Sequence, residues 1–201
     1  MTSRMKDRVG NFLALAPATA VLMGINVLVF VIETLAGGSR NAEVAYLFGA
    51  QATPWIEQGQ VWRLFTAMFL HFGALHLLFN MYALSVLGPA VDYVCGPVIF
   101  LVIYLLSGIA GNLATLAVDS KRSRKTISAG ASGCIFGLLG ACLVLAVAGY
   151  GFSLPSILTT LAVNLVYGLS SKRINMTSHA GGFAGGAVIM FAILQVLKYL
   201  Q

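Results

Sequence analysis

A chain of 201 residues that is 59% hydrophobic and only 9% charged cannot cover a water-facing surface, since soluble domains carry about 25% charged residues. Its net charge of +6 comes from short basic clusters between apolar runs: Arg4/Lys6/Arg8, Lys121/Arg122/Arg124/Lys125 and Lys172/Arg173. No aromatic residues interleave with them, which fits membrane flanks and argues against nucleic acid as a partner. The composition predicts an all-α integral membrane protein, with residues 1–201 forming one domain.

The chain opens with a basic flank, 1–17, which leads into a full-length apolar segment without a signal-peptide cleavage pattern. A spanning helix needs about 20 mainly apolar residues, and six stretches qualify. The first is 18–36, with Asn26 inside and Glu33 near its end. The longest connection, 37–72, mixes Trp55, Trp62, Leu64, Phe65, Met68 and Phe69 with Glu57, Gln58, Gln60 and Arg63. Such a loop is predicted to lie in or on the membrane surface with short helices of its own, and His71 near its end reads as interfacial. The second span, 73–91, carries His76 and Asn80; the third is 97–118, the fourth 130–150, the fifth and shortest 153–170, and the sixth 177–197. Cys95, Cys134 and Cys142 are odd in number and suggest neither a disulfide framework nor a zinc spacing; they read as small buried hydrophobes.

Polar groups inside spans are costly and are functional candidates. His76 and Asn80 are four apart and share a helix face. Ser132 opens the fourth span within Gly130-Ala131-Ser132-Gly133, where small neighbours leave its hydroxyl accessible and free N–H groups can receive an anion. His179 opens the sixth span and shares a face with Gly182 and Gly186, while Gly133, Gly137 and Gly140 line the fourth. Two such small-residue faces let helices approach closely and would bring Ser132 to His179. A serine hydroxyl needs a base, histidine serves near neutral pH, and the tetrahedral oxyanion needs fixed donors. His76, Asn80 and the Ser132 N–H are the candidates for that last role.

The missing residues also narrow the chemistry. The six acids are Asp7, Glu33, Glu43, Glu57, Asp92 and Asp119, none in mid-span, which argues against an aspartyl protease. There is no His-Glu-x-x-His motif, and nothing acidic is spaced to reach His179, so a Ser–His dyad is predicted rather than a triad. Taken singly, each residue has a structural explanation: Ser132 as a self-bonded helix serine, His179 as a satisfied histidine, Asn80 as interhelical glue. Metal binding by the histidines is disfavoured, because His71 and His76 are five apart and share no helical face. Asn112 and Asn164 read as packing or polar-contact residues.

These residues resemble the rhomboid family over nearly the whole chain. Gly130-Ala-Ser-Gly133 resembles its nucleophile segment, His76-Leu-Leu-Phe-Asn80 its His-x-x-x-Asn motif, and His179-Ala-Gly-Gly-Phe-Ala-Gly-Gly186 its sixth-helix histidine. Trp62-Arg63 resembles the Trp-Arg pair of the first loop, and Leu87-Gly88 with Asp92 the segment after the second helix. The resemblance implies a six-helix bundle with a membrane-associated first loop, and hydrolysis of transmembrane or juxtamembrane peptide bonds in single-span substrates. By the same route Ser132 attacks, His179 is base and then acid, and His76, Asn80 and the Ser132 amide hold the oxyanion. Gly130, Gly133, Gly182 and Gly186 support the site, and no metal or other cofactor is implied. The fifth span would be a lateral gate with Phe152 at its edge. Many relatives carry tyrosine four residues after the serine; here it is Phe136, which keeps the stacking ring without the hydroxyl.

Loop charges and the resemblance point opposite ways on orientation. The starts of spans two, four and six share a side whose loops hold Arg40, Arg63, Lys121, Arg122, Arg124, Lys125, Lys172 and Arg173, against Arg4, Lys6, Arg8 and Lys198 opposite. The positive-inside rule would turn the site to the cytoplasm. The resemblance implies a bacterial inner (cell) membrane protein with a cytoplasmic N-terminus and a site open to the periplasm or exterior, and this orientation is adopted because the leading flank of the first helix is basic. Two other functions are the alternatives. A catalytically silent rhomboid-like binding factor would usually lack the serine or the histidine, and a small-molecule transporter would show internal symmetry.

Overall fold

The computed structural model describes residues 14–122, 127–170 and 174–200. Most of the basic flank and Arg124, Lys125, Lys172 and Arg173, on which the charge count leans, lie outside the described residues. The helices in order are α1 (Pro17–Leu35), α2 (Ala42–Phe48), α3 (Thr53–Glu57), α4 (Arg63–Thr66, running into a 3-10 turn at Ala67–Phe69), α5 (Ala74–Cys95), α6 (Pro97–Lys121), α7 (Ser132–Val147), α8 (Leu154–Ser170) and α9 (Met176–Tyr199). Four of them, α1, α5, α6 and α9, are long and apolar enough to cross a membrane, and α7 and α8 are shorter apolar helices. The protein is a multi-pass, all-helical membrane protein.

The ends of these helices follow local chemistry. Pro17 and Pro97 sit in first turns, where a missing N–H costs nothing. Asn41 caps α2 by accepting from the Glu43 N–H at 2.9 Å. The helix α5 runs on to Cys95, so Asp92 lies inside it. From there its carboxylate reaches across to α1 and accepts from the Thr19 N–H at 2.8 Å, an acidic group at a helix N-terminus.

The fourth span is shorter than expected. It was predicted over 130–150, but α7 holds only 16 residues. Gly130 at φ +131° precedes it and Gly149 at φ +84° follows it; both are conformations that L side chains rarely adopt. At 1.5 Å per residue the helix is about 24 Å long, short of the roughly 30 Å hydrocarbon layer. The helix α7 is also the central one. Gly133, Cys134, Ile135, Gly137, Leu138, Leu139, Gly140, Ala141, Cys142 and Leu145 are all buried, and it packs most extensively on α9, then α6. By contrast α8 packs mainly against α7 and buries Ile157 while exposing Leu158, Val163 and Val166.

The long first loop does fold into short helices, organised by a buried cation. Arg63 is 1% exposed. Its Nε donates to Gln60 Oε1 at 2.7 Å and its Nη1 to the carbonyls of Tyr46 (2.9 Å) and Ala50 (3.0 Å). The rings of Tyr46, Trp55 and Trp62 stand 4.6–4.7 Å from the guanidinium carbon, so cation–π contact supplements the hydrogen bonds. Asn112 fastens this loop to α6: its Nδ2 donates to the Leu64 carbonyl at 2.8 Å, and its own carbonyl accepts from Gln51 Nε2 at 2.8 Å. Asn164, in α8, donates to the Thr160 carbonyl of its own helix.

His71, near the end of the loop, is fully buried within the protein, and Glu33, buried on α1, accepts from its N–H at 3.2 Å. The pairing lies 38 residues apart along the chain, beyond the reach of local pattern.

Candidate active site

Two glycine-lined helices meet backbone to backbone. A Cβ added at Gly182 would collide with the Gly133 carbonyl, one at Gly186 with the Gly137 carbonyl, and one at Gly140 with the Phe183 carbonyl. These are carbonyl oxygens of the opposing helix, which cannot swing aside as a side chain could. The predicted close approach of the fourth and sixth spans is therefore a feature of the fold.

That approach brings His179 onto the face of α7 that starts with Ser132. The His179 imidazole stacks on the Phe136 ring with centroids 4.1 Å apart and planes 14° apart. Phe136 is one turn after Ser132, hence on the same face. Both Ser132 and His179 are half-buried. His179 Nδ1 is buried without a partner, and no carboxylate among the described residues bonds to it. The described hydrogen bonds include none between Ser132 Oγ and the imidazole. Catalytic hydrogen bonds in unliganded enzymes are commonly long and tighten when substrate binds.

Ser132 is presented by a fixed approach segment. Ser128 and Gln51 exchange backbone hydrogen bonds at 2.8 and 2.9 Å, and the Gly130 N–H donates to the Ala67 carbonyl at 2.9 Å. Ala131, fully buried, then starts the helix by accepting from the Ile135 N–H at 3.0 Å.

His76 turns one ring edge toward this segment. Its Nδ1 accepts from the Phe72 N–H at 3.2 Å, so a neutral ring carries its hydrogen on Nε2. A Cβ built on Gly130 would lie 2.8 Å from His76 Cε1 and 2.9 Å from that Nε2. Glycine here lets this edge of the imidazole approach the backbone just before Ser132. Asn80, buried one turn along α5, donates Nδ2 to the His76 carbonyl at 2.9 Å, so one of its two amide hydrogens is engaged within its own helix. Among the described residues no three His, Cys, Asp or Glu side chains cluster as a metal site.

Three residues of this region carry no assignment from the sequence: Gln51 and Ser128, which hold the approach segment, and Asn175, the cap of α9. Asn175 had a visible signal, since Asn three residues before Ser178 at a helix start is a capping pattern. The others act through partners distant in the chain and left no local signature.

Comparison with known proteins identifies the family. Residues 58–196 match the Rhomboid domain. The chain is 39% identical to rhomboid protease GluP of Bacillus subtilis over 172 residues, which cover 84% of this chain and 33% of that protein. It is 30% identical to YdcA of the same organism over 194 residues, covering 92% of each. RHOMBOID-like protein 5 of Arabidopsis thaliana is 33% identical over 157 residues, 75% of this chain and 50% of the relative. The chain thus spans about a third of GluP and half of the plant protein.

Proposed function

Since this chain belongs to the rhomboid family, we propose that it is an intramembrane serine endopeptidase, a single membrane domain that cuts transmembrane or juxtamembrane segments of single-span proteins with a Ser132–His179 dyad. The observation that carries this is the His179 ring lying flat on Phe136, one turn from Ser132. In the proposed reaction Ser132 Oγ attacks the scissile carbonyl as His179 takes its proton. The oxyanion is received by the His76 Nε2–H, the free Asn80 amide hydrogen and the Ser132 backbone N–H. His179 then protonates the leaving amine; water, deprotonated by the same imidazole, attacks the acyl carbon, and His179 returns that proton to Ser132 Oγ as the acid product leaves. The partnerless Nδ1 of His179 supports a dyad over a triad.

The weakly packed α8 is the proposed lateral gate, consistent with its packing mainly against α7. We place the protein in a bacterial cell membrane with a cytoplasmic N-terminus and the site open to the outside. An exported reporter fused at the C-terminus should be inactive, and activity there would reverse the orientation.

The chemistry is tested by a fluorophosphonate probe on the full chain in detergent. Label should form on the intact protein and be lost in Ser132→Ala and in His179→Ala. Absence of label from folded intact protein would favour a non-catalytic binding role instead.

A further inference from the structure

Asn175, just before α9, is used by none of the roles above, yet it joins three segments. Its Oδ1 accepts from the Ser178 N–H at 3.0 Å, capping α9. Its Nδ2 donates to Thr115 Oγ1 on α6 at 3.0 Å and to Ser128 Oγ at 3.0 Å. The Thr115 hydroxyl donates onward to the Gly111 carbonyl at 3.1 Å, which leaves its oxygen as the acceptor for Asn175. Ser128 is held in turn by its backbone pair with Gln51. Four residues beyond Ser128 is Ser132, and four residues beyond Asn175 is His179, whose N–H donates to the Asn175 carbonyl at 3.2 Å.

Resting on the proposed dyad, we infer that Asn175 is a positioning residue, a three-way clamp that sets the register of His179 against Ser132. The need for one follows from the glycine contact. Backbone-to-backbone packing of α7 on α9 fixes how far apart the helices lie, but a surface of small residues offers few ridges to resist sliding along the axes. A hydrogen-bonded anchor at one end supplies what the smooth face lacks. A misplacement of about 1 Å at reacting atoms costs on the order of a hundredfold in rate. Helix capping alone is a lesser role, and serine, which ranks with asparagine as a cap, would fill it. Serine is too short to cap Ser178 and also reach both hydroxyls.

The test compares the intact protein, Asn175→Ser, Ser128→Ala and the double variant, each as the full chain in detergent. Three readouts are taken: fluorophosphonate labelling rate at Ser132, the ¹⁵N signals of the His179 imidazole, and the unfolding midpoint. The clamp predicts labelling about tenfold slower or worse in each single variant, a double variant no slower than the slower single, a shifted His179 signal, and a nearly unchanged midpoint. Wild-type labelling in Asn175→Ser, or single effects that simply multiply in the double variant, would overturn it. If the intact protein takes no label, the protease reading fails by itself, and the His179 signal decides the clamp: moved in Asn175→Ser supports it, unmoved refutes it.

Discussion

The His179 imidazole and the Phe136 phenyl ring form a near-parallel stack, 4.1 Å between centroids and 14° between planes. With Nδ1 unpartnered, this contact is what orients the base. Phe136→Ala should therefore slow probe labelling at Ser132 about tenfold or more, while Phe136→Tyr, which keeps the ring, should stay close to the parent. Equal rates in Phe136→Ala and the parent would show that the stack does not orient the base.

His76 has a single ring donor, and Asn80 has one free amide hydrogen. Removing an oxyanion donor costs roughly 10²–10³ in kcat. His76→Ala and Asn80→Ala should each lower kcat by about a hundredfold or more, with KM little changed. A change in KM alone, measured on a cleaved single-span substrate, would reassign them to binding.

Gly182 has no room for a methyl group, because its Cβ would strike the Gly133 carbonyl. Gly182→Ala should push α7 and α9 apart, destabilise by roughly 1–3 kcal/mol and slow labelling. Gly24→Ala is the control, since nothing lies within 4 Å of a Cβ there. Unfolding midpoints of the two variants should differ clearly, and equal midpoints would show that the glycine contact adapts.

Arg63 cannot be replaced by lysine without loss. A compact ammonium cannot reach Gln60 and the Tyr46 and Ala50 carbonyls while lying over three rings. Arg63→Lys should destabilise by roughly 2–4 kcal/mol and make the first loop more susceptible to proteolysis. Unchanged cleavage kinetics by an added protease would contradict the role given to this cation.

His71 links stability to pH. Burial, and then the neighbouring His76, push its pKa down to about 3, partly offset by the Phe69 carbonyl to which Nδ1 donates at 3.3 Å. An unfolded histidine titrates near 6.5, so between about pH 6.5 and 3 the unfolded chain takes up a proton that the folded one refuses. The contribution of this residue to stability is full above pH 6.5 and falls as pH drops, by at most about 1.4 kcal/mol per pH unit. The unfolding midpoint of His71→Asn should fall less steeply with acid than that of the parent over this range.

The sequence alone determined the class of molecule and the chemistry on offer. Hydropathy is read residue by residue, so the spans, the loop with short helices and the small-residue faces of 133–140 and 182–186 were legible without coordinates, as were Ser132, His179, His76 and Asn80 as the polar residues in apolar surroundings. The tertiary structure decided how these groups are held. It shortened the fourth span, buried His71 against Glu33, turned one edge of the His76 ring toward Gly130, and joined Asn175 to Ser128. Two of these outcomes rest on hydrogen bonds between residues far apart in the chain, 38 positions for Glu33–His71 and 47 for Ser128–Asn175. Inside an apolar bundle an unpaired polar group is costly wherever it lies, which favours pairing, although a few buried atoms, His179 Nδ1 among them, have no partner. The sequence shows that the need exists, and only packing in three dimensions selects which group meets it.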